Sequence, residues 1–219
     1  MPEHQHSVIT LSRQMGSGGT YIGYLLAKEL GFKYADREIL RQAAQYLKTD
    51  EGYLDRFEGR SSGLLANILR GLSLGTPETI SPYPLNRPVY DKDLFTLECK
   101  IMNDMADLHD VVIIGRGGFY ALRNRPGVTR VFIHAPLDFR IKRLMEVQNI
   151  TDNRQARADI EESDQSRAKF IRDMVGVNWT DSLNYHIAID SSRVSCEASV
   201  RMIMKLIDSG SLVSLYPVR

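Results

Sequence analysis

The chain has 219 residues, with 28 basic and 27 acidic side chains and a formal net charge of +1. No overall field therefore draws it to nucleic acid or to an anionic membrane, and a phosphate partner has to be held by local arginines. Hydrophobic residues at 43% and charged residues at 25% exclude disordered and fibrous classes and suit a single domain with room for an insertion or lid.

The cysteines, Cys99 and Cys196, are too few for a disulfide framework and form no CxxC pair, which points to a reduced, cytoplasmic setting. The first six residues lack the basic start and long apolar run of a secretion signal and read as a polar tail, with His4 and His6 solvated. Nowhere do about 18 apolar residues run together, so no membrane span is expected.

The first element is an apolar strand from Val8 that runs into Arg13-Gln14-Met15-Gly16-Ser17-Gly18-Gly19-Thr20. In the pattern G-x-x-x-x-G-K-[ST], glycines turn successive backbone N–H groups inward around a phosphate, and the following helix N-terminus adds its positive end. Gly16, Gly18 and Thr20 stand where that geometry needs them, with Thr20 placed to offer a hydroxyl to a phosphate-bound Mg²⁺. Gly19 stands at the lysine position and Arg13 at the first glycine. The segment is thus either an anion cradle without its lysine or a tight structural turn.

A helix follows over 20–30, with Ile22, Leu25, Leu26 and Leu30 at helical spacing and Gly31 as its stop. A short strand over 32–35 leads to Asp36, the N-cap of a helix through residue 47. On it Arg37 and Arg41 lie one turn apart, spaced to grip one anion together. A helix over 64–72 and a proline-rich loop from 75 to 90 come next, followed by a helix over 91–108. Its stripe of Leu94, Leu97, Ile101 and Met105 is either core or the face of a homodimer.

Val111-Val112-Ile113-Ile114 is a continuous apolar run, the signature of a strand buried on both faces of a parallel sheet, and it ends in Gly115-Arg116-Gly117-Gly118. A strand over 129–134, a helix over 138–148, a long charged helix over 152–175, a strand over 185–189 and a closing helix over 196–209 complete the chain. Strands alternating with helices predict an α/β fold on a parallel sheet, whose ligands bind at the carboxyl ends of the strands. Both glycine-rich turns fall there.

Taken together, these residues resemble the cytidylate kinase-like proteins, relatives of bacterial cytidylate kinase among the P-loop nucleoside monophosphate kinases. The resemblance rests on Ser12-Arg13-Gln14 with Gly16-Ser17-Gly18-Gly19, on Tyr34-Ala35-Asp36-Arg37-Glu38, on Val112-Ile113-Ile114-Gly115-Arg116, and on Asp164-Gln165-Ser166-Arg167, Trp179-Thr180-Asp181 and Asn184-Tyr185-His186. It implies a three-layer P-loop fold around a five-stranded parallel sheet, with a helical acceptor-binding insertion at about 36–108 and a lid at about 149–176. It also implies transfer of the ATP γ-phosphate to a nucleoside monophosphate, with Mg²⁺ bridging phosphates.

Carried over by position, Arg13, Gly16, Ser17, Gly18, Gly19 and Thr20, with Arg154 and Arg157 from the lid, would hold ATP, and Thr20 would face the metal. Asp36, Arg37, Arg41, Arg116 and Asp164 would hold the acceptor, and Arg13, Arg116 and Arg167 would neutralise the transferring group. Two positions depart from true cytidylate kinases: Gly19 replaces the catalytic lysine, for which Arg13 is the nearest substitute, and Gly117 replaces an aspartate that helps read cytosine.

Structural alternatives stand beside these roles: a solvated helix face for Arg154 and Arg157, and ion pairs for Arg116 and for Asp164 with Arg167. Packing is the alternative for Trp179. A nucleotide-binding sensor without turnover, or a sulfotransferase whose phosphate loop lacks lysine, are the other readings of the whole chain.

Overall fold

The computed structural model describes residues 6–36, 40 and 92–208. Five strands, β1 (Val8–Arg13), β2 (Lys33–Ala35), β3 (Val111–Ile114), β4 (Val128–His134) and β5 (Ile187–Asp190), form one sheet in the order β2-β3-β1-β4-β5. Every neighbouring pair is parallel. The helices among the described residues are α1 (Gly19–Leu30), α2 (Lys92–Leu108), α3 (Gly118–Ala121), α4 (Leu137–Gln148), α5 (Asn153–Val175) and α6 (Cys196–Asp208). No helix among the described residues is long and apolar enough to cross a membrane.

The sheet is covered on both faces, and the period-2 alternation of its strands builds the two cores. Val8, Val111 and Ile113 point to one face, against Leu94, Ile101, Met102 and Met105 of α2. Ile9, Leu11, Val112 and Ile114 point to the other, against Ile22 and Leu26 of α1 and Val200 and Ile203 of α6. The stripe of Leu94, Ile101 and Met105 is therefore core within this chain, with Leu97 partly buried against it. A third cluster, including Phe95, Phe119, Phe132, Phe170, Trp179 and Tyr185, packs β4 against the end of α5, and Trp179 meets Phe132 edge to face. Trp179 is a packing residue.

Local chemistry sets the boundaries. Gly31 closes α1 at φ 67, donating to Ala27 and Lys28 carbonyls, a left-handed stop that glycine adopts without strain. The Asp152 side chain caps α5 by accepting from the Arg154 N–H at 2.8 Å. Most elements differ from the expected bounds by one or two residues. The expected strand over 185–189 instead runs Ile187–Asp190, preceded by a 3₁₀ turn at Ser182–Asn184. The expected helix over 64–72 and the proline-rich loop lie outside the described residues, as does most of the helix expected from Asp36.

Because β1 pairs with both β3 and β4, the turns that leave β1 and β3 emerge side by side. The Gly115 N–H donates to the Leu11 carbonyl at 2.9 Å. That adjacency makes one site from two separate glycine-rich segments.

Candidate functional site

The turn from β1 into α1 is built on backbone that only glycine adopts readily. Gly16 has φ +78 and Gly18 φ +77, and a Cβ on Gly16 would lie 2.7 Å from the Arg140 carbonyl oxygen. Gly18 is the N-cap of α1 and has no side chain to satisfy the first helical N–H groups. These donors and the positive end of the helix are left for a ligand, which is the arrangement that binds phosphate.

Neighbouring loops hold this turn in place. The Ser17 hydroxyl donates to the Gln14 carbonyl at 2.8 Å, Gln14 Oε1 accepts from the Ala135 N–H at 3.2 Å, and the Ser191 hydroxyl donates to the Ser17 carbonyl at 2.7 Å.

Two arginines stand at this turn without a carboxylate partner among the described residues. Arg13, the last residue of β1, donates from Nε to the Thr20 hydroxyl at 3.3 Å. Its guanidinium packs against Gly115, with Nη1 where a Cβ at that position would meet it. Arg143 of α4 brings its guanidinium Cζ to 3.0 Å from where a Cβ on Gly18 would sit. It also draws down the thiol pKa of Cys196, against the burial that pushes that pKa up.

Arg140, one turn before Arg143, is 7% exposed. It donates to the carbonyls of Ala135 at 2.9 Å and Met15 at 3.2 Å and to Asp164 at 2.6 Å. Neither α4 arginine was expected at the site. The signal was present, because they lie three residues apart on one face of a helix that leaves a strand's carboxyl end, a pairing of the same kind as Arg37 with Arg41, which are four apart.

Asp164 of α5 gathers these elements. It accepts from the Met15 N–H at 3.0 Å, from Arg140 and from Arg167 Nη1 at 3.0 Å. The ion pair with Arg167 is thus formed, and it belongs to a larger network that ties α5 to the glycine loop. Arg154 and Arg157 lie exposed on the outer side of α5, where Arg157 reaches Asp138 and Glu161 at 3.5 Å.

The second turn holds Gly115, Arg116 and Gly117 in three successive left-handed conformations, φ 77, 49 and 70. Such a conformation is strained for arginine, and its surroundings enforce it. Arg116 donates from Nε to Glu98 Oε2 at 2.7 Å, its Nη2 pairs with the same oxygen, and its guanidinium stacks 4.3 Å over the Phe170 ring. The Arg116 side chain is 8% exposed and that of Glu98 0%. The structure therefore forms the ion pair that stood as the alternative for Arg116. A Cβ on Gly117 would lie 3.4 Å from Ile171 and the Phe95 ring, and at φ 70 the position expected to carry a base-reading aspartate has no side chain and a left-handed backbone that favours glycine.

Asp36 follows β2, and its carbonyl accepts from the Leu40 N–H at 3.0 Å. Arg37 and Arg41 lie outside the described residues. No three His, Cys, Asp or Glu side chains among the described residues come together to hold a metal.

An all-parallel five-stranded sheet with helices on both faces and a glycine turn after its central strand defines the P-loop kinase fold. A solved structure of an uncharacterized protein from Eubacterium ventriosum ATCC 27560 superposes with a TM-score of 0.69 at 21% identity, over 93% of this chain and 99% of that one. A gluconokinase from Sinorhizobium meliloti 1021 superposes with a TM-score of 0.51 at 14% identity, over 96% and 98% of the two chains. At these identities the likeness is one of fold. No curated protein sequence matches the chain. The cytidylate kinase-like family profile matches residues 8–193, and the chain belongs to that family.

Proposed function

We propose that this chain is a nucleotide-binding phosphotransferase that moves the ATP γ-phosphate to a nucleoside monophosphate or a similar small acceptor. The observation that carries this reading is the open N-terminus of α1 behind Gly16 and Gly18, with Arg13 and Arg143 standing over it and no carboxylate neutralising either among the described residues. Phosphoryl transfer needs positioning and charge neutralisation more than covalent help from the protein. A cradle of backbone N–H groups flanked by arginines supplies both.

In this reading the amides of residues 16–20 bind the donor phosphates, and Arg13 and Arg143 balance their charge. The network of Asp164, Arg140 and Arg167 keeps α5 against the loop as a closed lid, with Arg154 and Arg157 as its outer cations. Asp36, Arg37 and Arg41 take the acceptor phosphate, and Arg116 completes that side once acceptor charge competes with Glu98. Residues 36–108 then form the acceptor-binding insertion and 149–176 the lid of one domain, in the cytoplasm. Gly117 offers no side chain to a base, so this position does not select cytosine, and the acceptor base is left to the transfer assay.

Thr20 offers one hydroxyl, to which Arg13 already donates. That fits a Mg²⁺ that arrives on the triphosphate, with phosphate oxygens and water as its remaining ligands, and not one held by protein alone. Such an ion would supply charge neutralisation on the phosphates, with Thr20 as the protein group nearest to it.

A nucleotide panel titrated by calorimetry with Mg²⁺, followed by a phosphate-transfer assay from ATP to each monophosphate, tests the proposal. Turnover with one acceptor supports it and names the acceptor. Binding without turnover favours a nucleotide sensor, a reading that Gly19 at the lysine position supports. Absence of binding reduces the glycine loop to architecture.

A further inference from the structure

Positions 13 and 19 form one steric unit. Gly19 opens α1 directly above Arg13, and a Cβ on Gly19 would overlap the Cβ of Arg13, lying also 3.0 Å from its Cγ and 3.2 Å from Ile133 Cβ. Arg13 is paired in register with Ile133 across β1 and β4, so the two Cβ atoms of this wall are carried on paired strands and cannot swing away by a change of rotamer. Space at the strand end therefore admits a side chain at position 13 or at position 19, and not at both.

The pattern G-x-x-x-x-G-K satisfies that exclusion with glycine first and lysine later. This chain satisfies it the other way round. The Arg13 guanidinium runs between α1 and the end of β3, with Nε 3.3 Å from the Thr20 hydroxyl and Nη1 lodged where a Cβ on Gly115 would otherwise be. No carboxylate among the described residues pairs with this guanidinium.

We infer that Arg13 is the phosphate-binding cation of the loop, delivered from the end of β1 in exchange for the lysine that position 19 cannot carry beside it. The inference rests on the phosphotransferase reading and deepens it: the ligand is the polyphosphate of a nucleoside triphosphate. A guanidinium suits that ligand because its planar fork can donate to two phosphate oxygens at once.

The test compares the wild type with Arg13→Gly, Gly19→Lys and the double variant Arg13→Gly/Gly19→Lys, using thermal melting and ATP calorimetry on the full chain with and without Mg²⁺. Gly19→Lys should lower the melting temperature by several degrees when Arg13 is present and by much less when position 13 is glycine. Arg13→Gly should weaken ATP by about tenfold or more, the loss of one charge-assisted contact, and the double variant should recover most of that affinity.

Wild-type affinity in Arg13→Gly, or a folded double variant that fails to recover it, overturns the inference and leaves the phosphotransferase reading standing. Melting effects of the two substitutions that simply add overturn the steric exclusion. A wild-type chain that binds no ATP removes the reading and the inference together.

Discussion

The carboxylate of Asp164 accepts the backbone N–H of Met15 at 3.0 Å across 149 positions of sequence. Its other oxygen accepts from Arg140 Nη1 at 2.6 Å. One side chain on the long charged helix thus holds both the glycine turn and the arginine that braces it.

Replacing Asp164 by alanine leaves Arg140 without a counter-charge and the Met15 N–H without an acceptor. Loss of about 2 kcal/mol of stability is expected, the size of one hydrogen bond to a charged group in a largely enclosed site. Asp164→Asn keeps an acceptor for Met15 and should lose less. Urea unfolding of the variants checks the order, and equal stability of wild type and Asp164→Ala would mean that the network contributes nothing.

Glu98 and Arg116 form a pair with almost no exposure. Glu98→Ala removes the carboxylate that faces the buried Arg116 guanidinium and should cost about 3–5 kcal/mol, whereas the double variant Glu98→Leu/Arg116→Met should recover most of that loss. Acceptor binding by the double variant separates the two roles of Arg116. A folded double variant that binds acceptor like the wild type makes Arg116 structural, and one that has lost acceptor affinity makes it a phosphate ligand.

Gly23 lies inside α1, where alanine would ordinarily help a helix by about 0.8–1 kcal/mol. Here a Cβ would overlap Ile114 Cδ1 and touch Leu11 Cδ1 at 3.6 Å, so packing opposes propensity. Overpacking of a filled core costs about 1–3 kcal/mol, and Gly23→Ala should come out destabilised on balance. A raised melting temperature would show that Ile114 changes rotamer without penalty.

His186 precedes β5, and its Nδ1 accepts from the Arg130 N–H at 3.1 Å. Partial burial, and then the Arg130 guanidinium, hold its pKa below the ordinary 6.5. With the folded value lowered, the unfolded chain takes the proton first as pH falls. The stability contributed by neutral His186 is therefore complete above pH 6.5 and is lost as pH drops from there through the folded value. His109 is shifted in the same direction by burial, so His186→Gln should flatten the acid side of a melting-temperature profile without levelling it. An unchanged profile would remove His186 as a contributor.

Much of this architecture is legible in the chain because it is set by local rules. The apolar run Val111–Ile114 names a doubly covered strand, and the residues that end α1 and cap α5, Gly31 and Asp152, act on their own neighbours. The glycine turns are legible for the same reason, since the freedom to adopt positive φ without strain is a property of glycine itself. Arg116 is different. Its position after a buried strand is a matter of sequence, but its partner Glu98 stands on α2, brought under the turn by packing of that helix on the sheet. The site roles of Arg140 and Arg143 depend likewise on where α4 lies across the glycine loop.

By itself the sequence determined the alternation of strands and helices, the two glycine-rich turns and the replacement of lysine by Gly19, because each follows from the conformational and hydrophobic preferences of short segments. Only the tertiary structure decided that Arg13 and Gly19 share a space too small for two side chains, that Asp164 closes on Met15, and that Arg116 faces Glu98. These contacts join residues whose separation in the chain carries no record of their approach; parallel pairing of β1 with β3 and β4 brings the loops together, and the packing of α2, α4 and α5 places the charges around them.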